Sequence, residues 1–339
     1  MSRDTAGSEA AIPTRVGVLM SARVAVRMVL EAWPLVIPLC VVYGLVITLI
    51  EAYVPSAVAD LARGDMVALV IWSQGAFALF CALVLYLVVQ IFKRRQVSRA
   101  SWLPTLLVLP AGLFALGVSP MLIPTVGVNA MAAIAHGALG LAVWIVLGGL
   151  MQPLWVSLAH ARWTQEGPLD RSLGVKAWRA RWREGLVAHG AAVTVIFLGL
   201  QALFVPGFIF AVSLAYAVHG AMIHDAPRPL RSSRRLVKGD SLRVACVLGV
   251  GLLAVLGAQV GMLVAFEGLL ATEGSAFVEE GVFRPERVVV SWLFALVYPG
   301  GVRLSPWGIG AGAALGAGIW AVVLATLTGL YLGRRQARA

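Results

Sequence analysis

The stretch RPLRSSRRLVKGDSLR (Arg228–Arg243) carries six Lys and Arg residues, and VACVLGVGLLAVLGAQVGMLVAF (Val244–Phe266), which follows directly, carries no Asp, Glu, Lys or Arg. A helix needs about 20 residues to cross the roughly 30 Å hydrocarbon core of a bilayer, so the second stretch reads as one crossing. The first reads as the loop before it. Moving Lys and Arg through a bilayer is costly and opposed by the membrane potential, so such loops stay on the cytoplasmic side.

This alternation runs the length of the chain. Of its 27 Lys and Arg residues, 23 fall in five segments: Arg3, Arg15, Arg23 and Arg27; Lys93–Arg99; Arg162–Arg183; Arg228–Arg243; and Arg334–Arg338. These are expected inside, and Arg63, Arg284, Arg287 and Arg303 outside. The net charge of +11 then divides into 23 basic and 8 acidic residues inside against 4 basic and 8 acidic outside. The chain is 60% apolar and 13% charged, with mean hydropathy +0.88, where a soluble domain has about 25% charged residues. The positive charge borders apolar runs, so membrane lipids, anionic phospholipid above all, are the expected partners, and nucleic acid is not.

The charge-free runs set the number of crossings. Ala32–Ile50 and Met66–Phe92 give one each, and Ala100–Ala161, basic at both flanks, crosses twice with a turn near Pro120, Pro124 and Gly127. Gly185–His224 is a hairpin turning at Pro206-Gly207, Val244–Phe266 crosses once, and Leu304–Gly333 returns the chain to its basic tail. Val288–Tyr298 is too short to span and reads as interfacial or re-entrant. The expected fold is all-α: a polytopic transmembrane bundle of about eight spans (32–50, 66–92, 102–123, 131–159, 185–204, 207–224, 244–266, 307–332). A cytoplasmic N-terminus (1–31) precedes the membrane domain (32–333), and a basic cytoplasmic tail (334–339) follows it. Ala57-Val58-Ala59 after an apolar run also resembles a signal-peptide cleavage site. The leader would be about 30 residues long and its apolar run reaches spanning length, so a retained first span is expected.

Amphipathic interfacial helices are expected on the cytoplasmic side. Arg15, Arg23, Arg27 and Glu31 share one helical row, and Val16, Met20, Val24 and Met28 another. Trp178 and Trp182 share a face with Val175 and Leu186, with Lys176, Arg179 and Arg183 on another, the pattern of an interfacial anchor. Arg23, Arg27, Lys176, Arg179, Arg183, Arg231, Arg235 and Lys238 are therefore the candidate contacts to lipid headgroups, together forming one basic collar.

The spans hold no Asp, Glu, Lys or Arg. Proton-coupled transporters and intramembrane acid–base enzymes place an ionisable group at depth, so catalysis is not expected. Cys40, Cys81 and Cys246 sit in apolar runs without metal-ligand spacing, and no cofactor or metal is expected. The residues with potential to line a polar cavity are His136, Gln152, Gln201 and His219; Gln74 and Gln259 are further neutral polar residues within spans. Convergence of the four at mid-membrane would favour a transporter or channel for a small or lipid-like solute, and separate burial a structural or scaffolding protein. Gly308, Gly312 and Gly316, with Gly310, Ala314 and Gly318 beside them, form small-residue rows that let another helix approach closely. That helix belongs either to the same bundle or to a homo-oligomer or other membrane partner.

Pro206-Gly207-Phe-Ile-Phe-Ala-Val opens a span ending at His224-Asp225, and Ser233-Arg-Arg-Leu236-Val-Lys-Gly239-Asp240 follows. This pattern resembles the membrane domain fused to some bacterial glycerophosphodiester phosphodiesterases and its stand-alone relatives. The basic amphipathic N-terminus is similar too. The resemblance implies a multi-pass protein of the bacterial inner membrane, and the basic segments at the two ends of the chain put both termini on the cytoplasmic side. It covers about a third of the chain, and Asp225 stands where that family more often has Glu. No phosphodiesterase domain accompanies the matching residues, so that activity is not carried over. Gly239 is expected to end the short basic helix in the left-handed conformation that glycine accepts.

Overall fold

The computed structural model describes residues 16–64, 128–202, 204–224, 226, 228–272, 275–297 and 304–337. These are nearly all helical: α1 (Val18–Glu31), α2 (Trp33–Gly64), α3 (Val128–Thr164), α4 (Arg171–Ala202), α5 (Phe204–Leu214), α6 (Ala217–His224), α7 (Pro229–Val237), α8 (Ser241–Leu270), α9 (Pro285–Val297) and α10 (Pro306–Gln336). A two-stranded antiparallel hairpin, β1 (Val278–Glu279) and β2 (Val282–Phe283), precedes α9. Among the described residues, five segments are long and apolar enough to cross a membrane: Trp33–Tyr53, Val143–Thr164, Val205–His224, Ser241–Leu270 and Pro306–Gln336. The expected spans at 66–92 and 102–123 lie outside the described residues. That at 185–204 falls largely within α4, which runs without a break from Arg171 through the basic Lys176–Arg183 stretch. That stretch is therefore the opening of a long helix and not a separate interfacial one.

The helices belong to two compact units, the first comprising Met1–Val36, Leu150–Val250 and Trp320–Ala339, the second Ile37–Gly149 and Gly251–Ile319. In the second unit α10 lies between two helices. A Cβ on Gly308 would meet Leu263 and Phe266 at 3.2 Å, one on Gly312 the Cα of Gln259 at 2.9 Å, and one on Gly316 Val255 at 3.0 Å, so this glycine row faces α8. The alternate row faces α2: Gly310 abuts Thr48 and the Gly44 carbonyl, and a Cβ on Gly44 would lie 2.7 Å from that of Ala314. The small residues thus serve packing between helices of one chain. In hydrocarbon, such backbone proximity supplies the dispersion contacts that hold helices together.

The same unit contains the acidic segment between α8 and α9. Glu280 and Gly281, at φ 53° and 76°, form the two-residue hairpin turn, which requires positive φ at both positions. Arg284 and Arg287 pair with Glu279 at 3.5 and 2.8 Å. The short apolar stretch after them forms α9, whose Val288 is buried against Leu263 and Phe277. Glu267 is also buried, its carboxylate accepting the Ser305 N–H just before α10.

In the first unit α1 ends at Ala32, and Pro34 lies in the first turn of the next helix; proline suits that place, where its missing N–H has no intrahelical use. The expected apolar row Val16, Met20, Val24 and Met28 is only partly outward, with Met20 exposed and Val24 half-buried. Val16 and Met28 are buried, and α1 packs Ser21, Ala25 and Met28 inward. Leu19, Val26 and Leu30 form the outward apolar face, alongside exposed Arg23 and Arg27. A Cβ on Gly329 would collide with Trp163 and Ser21, so α1, α3 and α10 meet at that glycine. Glu31 joins α1 to α3 and the loop after it by charge, with Arg27 Nε at 2.7 Å, Arg162 Nε at 3.1 Å and the Leu169 N–H at 3.1 Å. Desolvation raises the Glu31 pKa, but the two guanidinium groups and the amide outweigh it and hold the carboxyl below its usual range. Asp170, which caps the start of α4, is likewise held low by the Ser172 hydroxyl and N–H.

Trp178 is a second correction. Its indole turns inward, donating to the Leu150 carbonyl (3.2 Å) and packing on Val156, Val218 and Met222. Pro153, inside α3, lacks an N–H and its ring disturbs the turn before it, where Leu150 lies. Replacing Gly310 or Gly312 with Leu should lower the melting temperature in detergent, because overpacking costs about 1–3 kcal/mol. Gly257→Leu, on α8 with open space where its Cβ would be, should be tolerated. Equal melting of Gly310→Leu and Gly257→Leu would show that α10 does not pack this way.

Candidate functional site

The motif residues between Ser213 and Asp240 converge on the last turns of α10. The apolar segment Val205–His224 is not one helix: α5 ends at Leu214, α6 begins at Ala217, and Ala215 and Tyr216 form a turn between them. Such a break frees backbone groups that an apolar environment cannot hydrate. Ser233, fully buried on α7, repairs it. Its hydroxyl accepts the Tyr216 N–H at 3.0 Å and donates to the Ser213 carbonyl at 2.9 Å. The serine of the motif is thus a clasp that fixes the basic helix α7 to the broken one.

Around the break lies a buried ring cluster. Tyr216, His219 and Tyr331 are each fully buried, with centroids 5.4–5.8 Å apart. His219 Nε2 lies 3.3 Å from the Leu324 carbonyl, which only accepts, so that nitrogen carries the proton. The Thr328 hydroxyl donates to the same carbonyl at 2.9 Å. Tyr331 also hydrogen-bonds His224 Nδ1 at 3.0 Å, at the end of α6. The cluster therefore ties α6 to α10 through named polar contacts set in aromatic packing.

Gly239 differs from expectation. Among the described residues positive φ occurs at Glu280, Gly167 and Gly281, so Gly239 does not take the left-handed conformation. A side chain is excluded there for a different reason: the Arg334 guanidinium lies where a Cβ would stand. Asp240 follows, its carbonyl accepting the Val244 N–H to start α8 and its carboxylate 3.5 Å from Arg243. Between this turn and the end of α10 is a cavity of about 620 Å³, bordered by Lys238, Gly239, Asp240, Arg243 and Arg334.

The other sequence candidates are placed differently. Arg23, Arg27, Lys176, Arg179, Arg183, Arg231, Arg235 and Lys238 are all exposed and all belong to the first unit; of these, Lys238 borders the cavity. Gln152 Oε1 hydrogen-bonds His189 Nδ1 at 3.0 Å, with both side chains buried. His189 is therefore inside the protein. His219 is engaged elsewhere, at Leu324, and the side chains of His136 and Gln201 lie outside the described residues. Among the described residues no three His, Cys, Asp or Glu come together as metal ligands. No family model matches the chain, and no curated protein or solved structure is significantly similar to it.

Ser233→Ala should destabilise the protein strongly for a loss of one oxygen. It leaves a donor and an acceptor buried and unpaired, about 1–3 kcal/mol each. Ser232→Ala, at the neighbouring, less buried position, is the control. Thermal melting in detergent checks this, and equal midpoints for the two variants would remove the clasp.

Proposed function

We propose that this is a non-catalytic, multi-pass protein of the bacterial inner membrane, with about eight spans and both termini cytoplasmic, whose role is to organise anionic lipid or a partner protein at the cytoplasmic headgroup layer. The observation that carries this reading is the alternation of basic segments with charge-free apolar runs along the chain. The described Lys and Arg residues of the N-terminal, Arg162–Arg183, Arg228–Arg243 and C-terminal segments all belong to the first unit. In the sequence Arg63 follows Asp60, and Arg284 and Arg287 lie among Glu279, Glu280 and Glu286, with both arginines paired to Glu279. Basic segments and acid-rich segments that alternate between apolar runs along the chain form the pattern that the positive-inside rule assigns to opposite sides of a bilayer.

Kinship with the phosphodiesterase-associated membrane domains belongs to the same proposal. It rests on the sequence pattern from Pro206 to Asp240, in which Ser233 holds a helix break together, Gly239 makes room for Arg334, and Asp240 begins α8. Transport would need the mid-span polar residues to share one path. Gln152 is bonded to His189 and His219 to Leu324, engagements that suit helix packing and favour the scaffolding role.

The four exposed cations Arg179, Arg183, Arg231 and Arg235 should each contribute about 1 kcal/mol of attraction to an anionic leaflet. Changing all four to Gln should lower the anionic phospholipid that co-purifies, as measured by native mass spectrometry, and raised salt should lower it in the wild type. An unchanged lipid load in the quadruple variant would reduce the collar to a topology signal.

A further inference from the structure

The cavity at the head of α8 combines features that plain membrane anchoring does not require. Ser241, Leu242 and Arg243 open a 30-residue helix and border the cavity. The first amides of a helix have no intrahelical acceptor, and its dipole favours an anion there. Lys238 and Arg243 stand on either side of this turn, and Arg334 reaches in from α10 across the space that Gly239 leaves open. Asp240 subtracts one charge but leans toward Arg243, so the lining keeps two net positive charges.

One polar atom of the lining is also without a partner among the described residues. Arg334 Nε is shielded from solvent and makes no hydrogen bond. A buried donor left unpaired is costly, so the Arg334 Nε on the wall of a basic cavity marks a place suited to an acceptor. The remaining walls include Val16, Leu242 and Leu330, which are apolar.

The geometry points to a binding site for a phosphate ester, the anionic group of a phospholipid head or of a small soluble phosphate, held by the α8 amides, Lys238, Arg243 and Arg334. Phosphate oxygens satisfy amides and guanidinium groups together, and Arg presents a planar fork suited to them. The apolar walls give an attached acyl or glycerol portion a surface. This site rests on the lipid-associated role proposed above and adds to it one stoichiometric position, distinct from the diffuse collar.

Native mass spectrometry of the full chain in neutral detergent tests it, by titration with short-chain phosphatidylglycerol, with the matching uncharged diacylglycerol, and with glycerol 1-phosphate. Saturable one-to-one binding of phosphatidylglycerol, with the dissociation constant weakened about tenfold or more by Arg334→Gln, is expected from loss of one charge-assisted contact. Arg243→Gln, at an exposed side chain, should act in the same direction and carries the test if the Arg334 variant does not fold. Glycerol 1-phosphate binding with the same variant sensitivity, and no gain from the acyl chains, would assign the site to a soluble phosphate. No saturable binding of either phosphate ligand, binding of the uncharged lipid at equal affinity, or affinities unchanged in both variants would overturn it. The collar reading fails on a different readout, the total lipid load of the Arg179, Arg183, Arg231 and Arg235 variant, so the two failures are separable.

Discussion

Hydrocarbon cannot hydrate a charge or a peptide group, and in the proposed reading each main feature of this chain answers that constraint. It keeps Asp, Glu, Lys and Arg out of the long apolar runs and gathers them in the segments between those runs. It also forbids an open backbone break, which is why Ala215–Tyr216 is spanned by the Ser233 hydroxyl. Finally, it removes the hydrophobic drive between helices, so α10 is held by direct backbone approach through Gly308, Gly310, Gly312 and Gly316.

These devices are connected. Ser233 lies on the same short helix as Arg231, Arg234 and Arg235, so the clasp that mends the apolar segment also fixes a cationic helix at its end. The turn after that helix meets Arg334 near the end of α10, and one turn earlier α10 carries Tyr331, which joins the ring cluster. The phosphate cavity sits where these connections finish. A ligand there would touch α8 and α10 together, so binding and helix packing are expected to stabilise each other.

Composition and charge period are enough to read the long helices, because the exclusion of charge acts on every residue of a span and repeats along the chain. The small-residue rows of α10 are legible for a similar reason: spacing by four places glycines on one helix face. Spacing does not reveal which face looks inward. Val16 just before α1, Met28 on α1 and Trp178 on α4 carry the amphipathic pattern of lipid contacts yet are satisfied by protein neighbours. The roles of Ser233, Gly239 and Arg334 depend on partners 17 to 95 residues away in sequence, and one sequence does not encode that pairing visibly. Local conformation is the usual reason for a glycine after a helix, whereas at Gly239 a long-range contact excludes the side chain.

Sidedness is the premise on which the collar and the cavity both depend, and it can be measured directly. In a variant without Cys40, Cys81 and Cys246, single cysteines at positions 179, 235 and 279 would be exposed to a membrane-impermeant thiol reagent in cells whose outer barrier has been opened. Labelling of Glu279→Cys, with Arg179→Cys and Arg235→Cys reacting only after the inner membrane is disrupted, is the predicted result. Labelling of position 179 or 235 in cells with the inner membrane intact would contradict it.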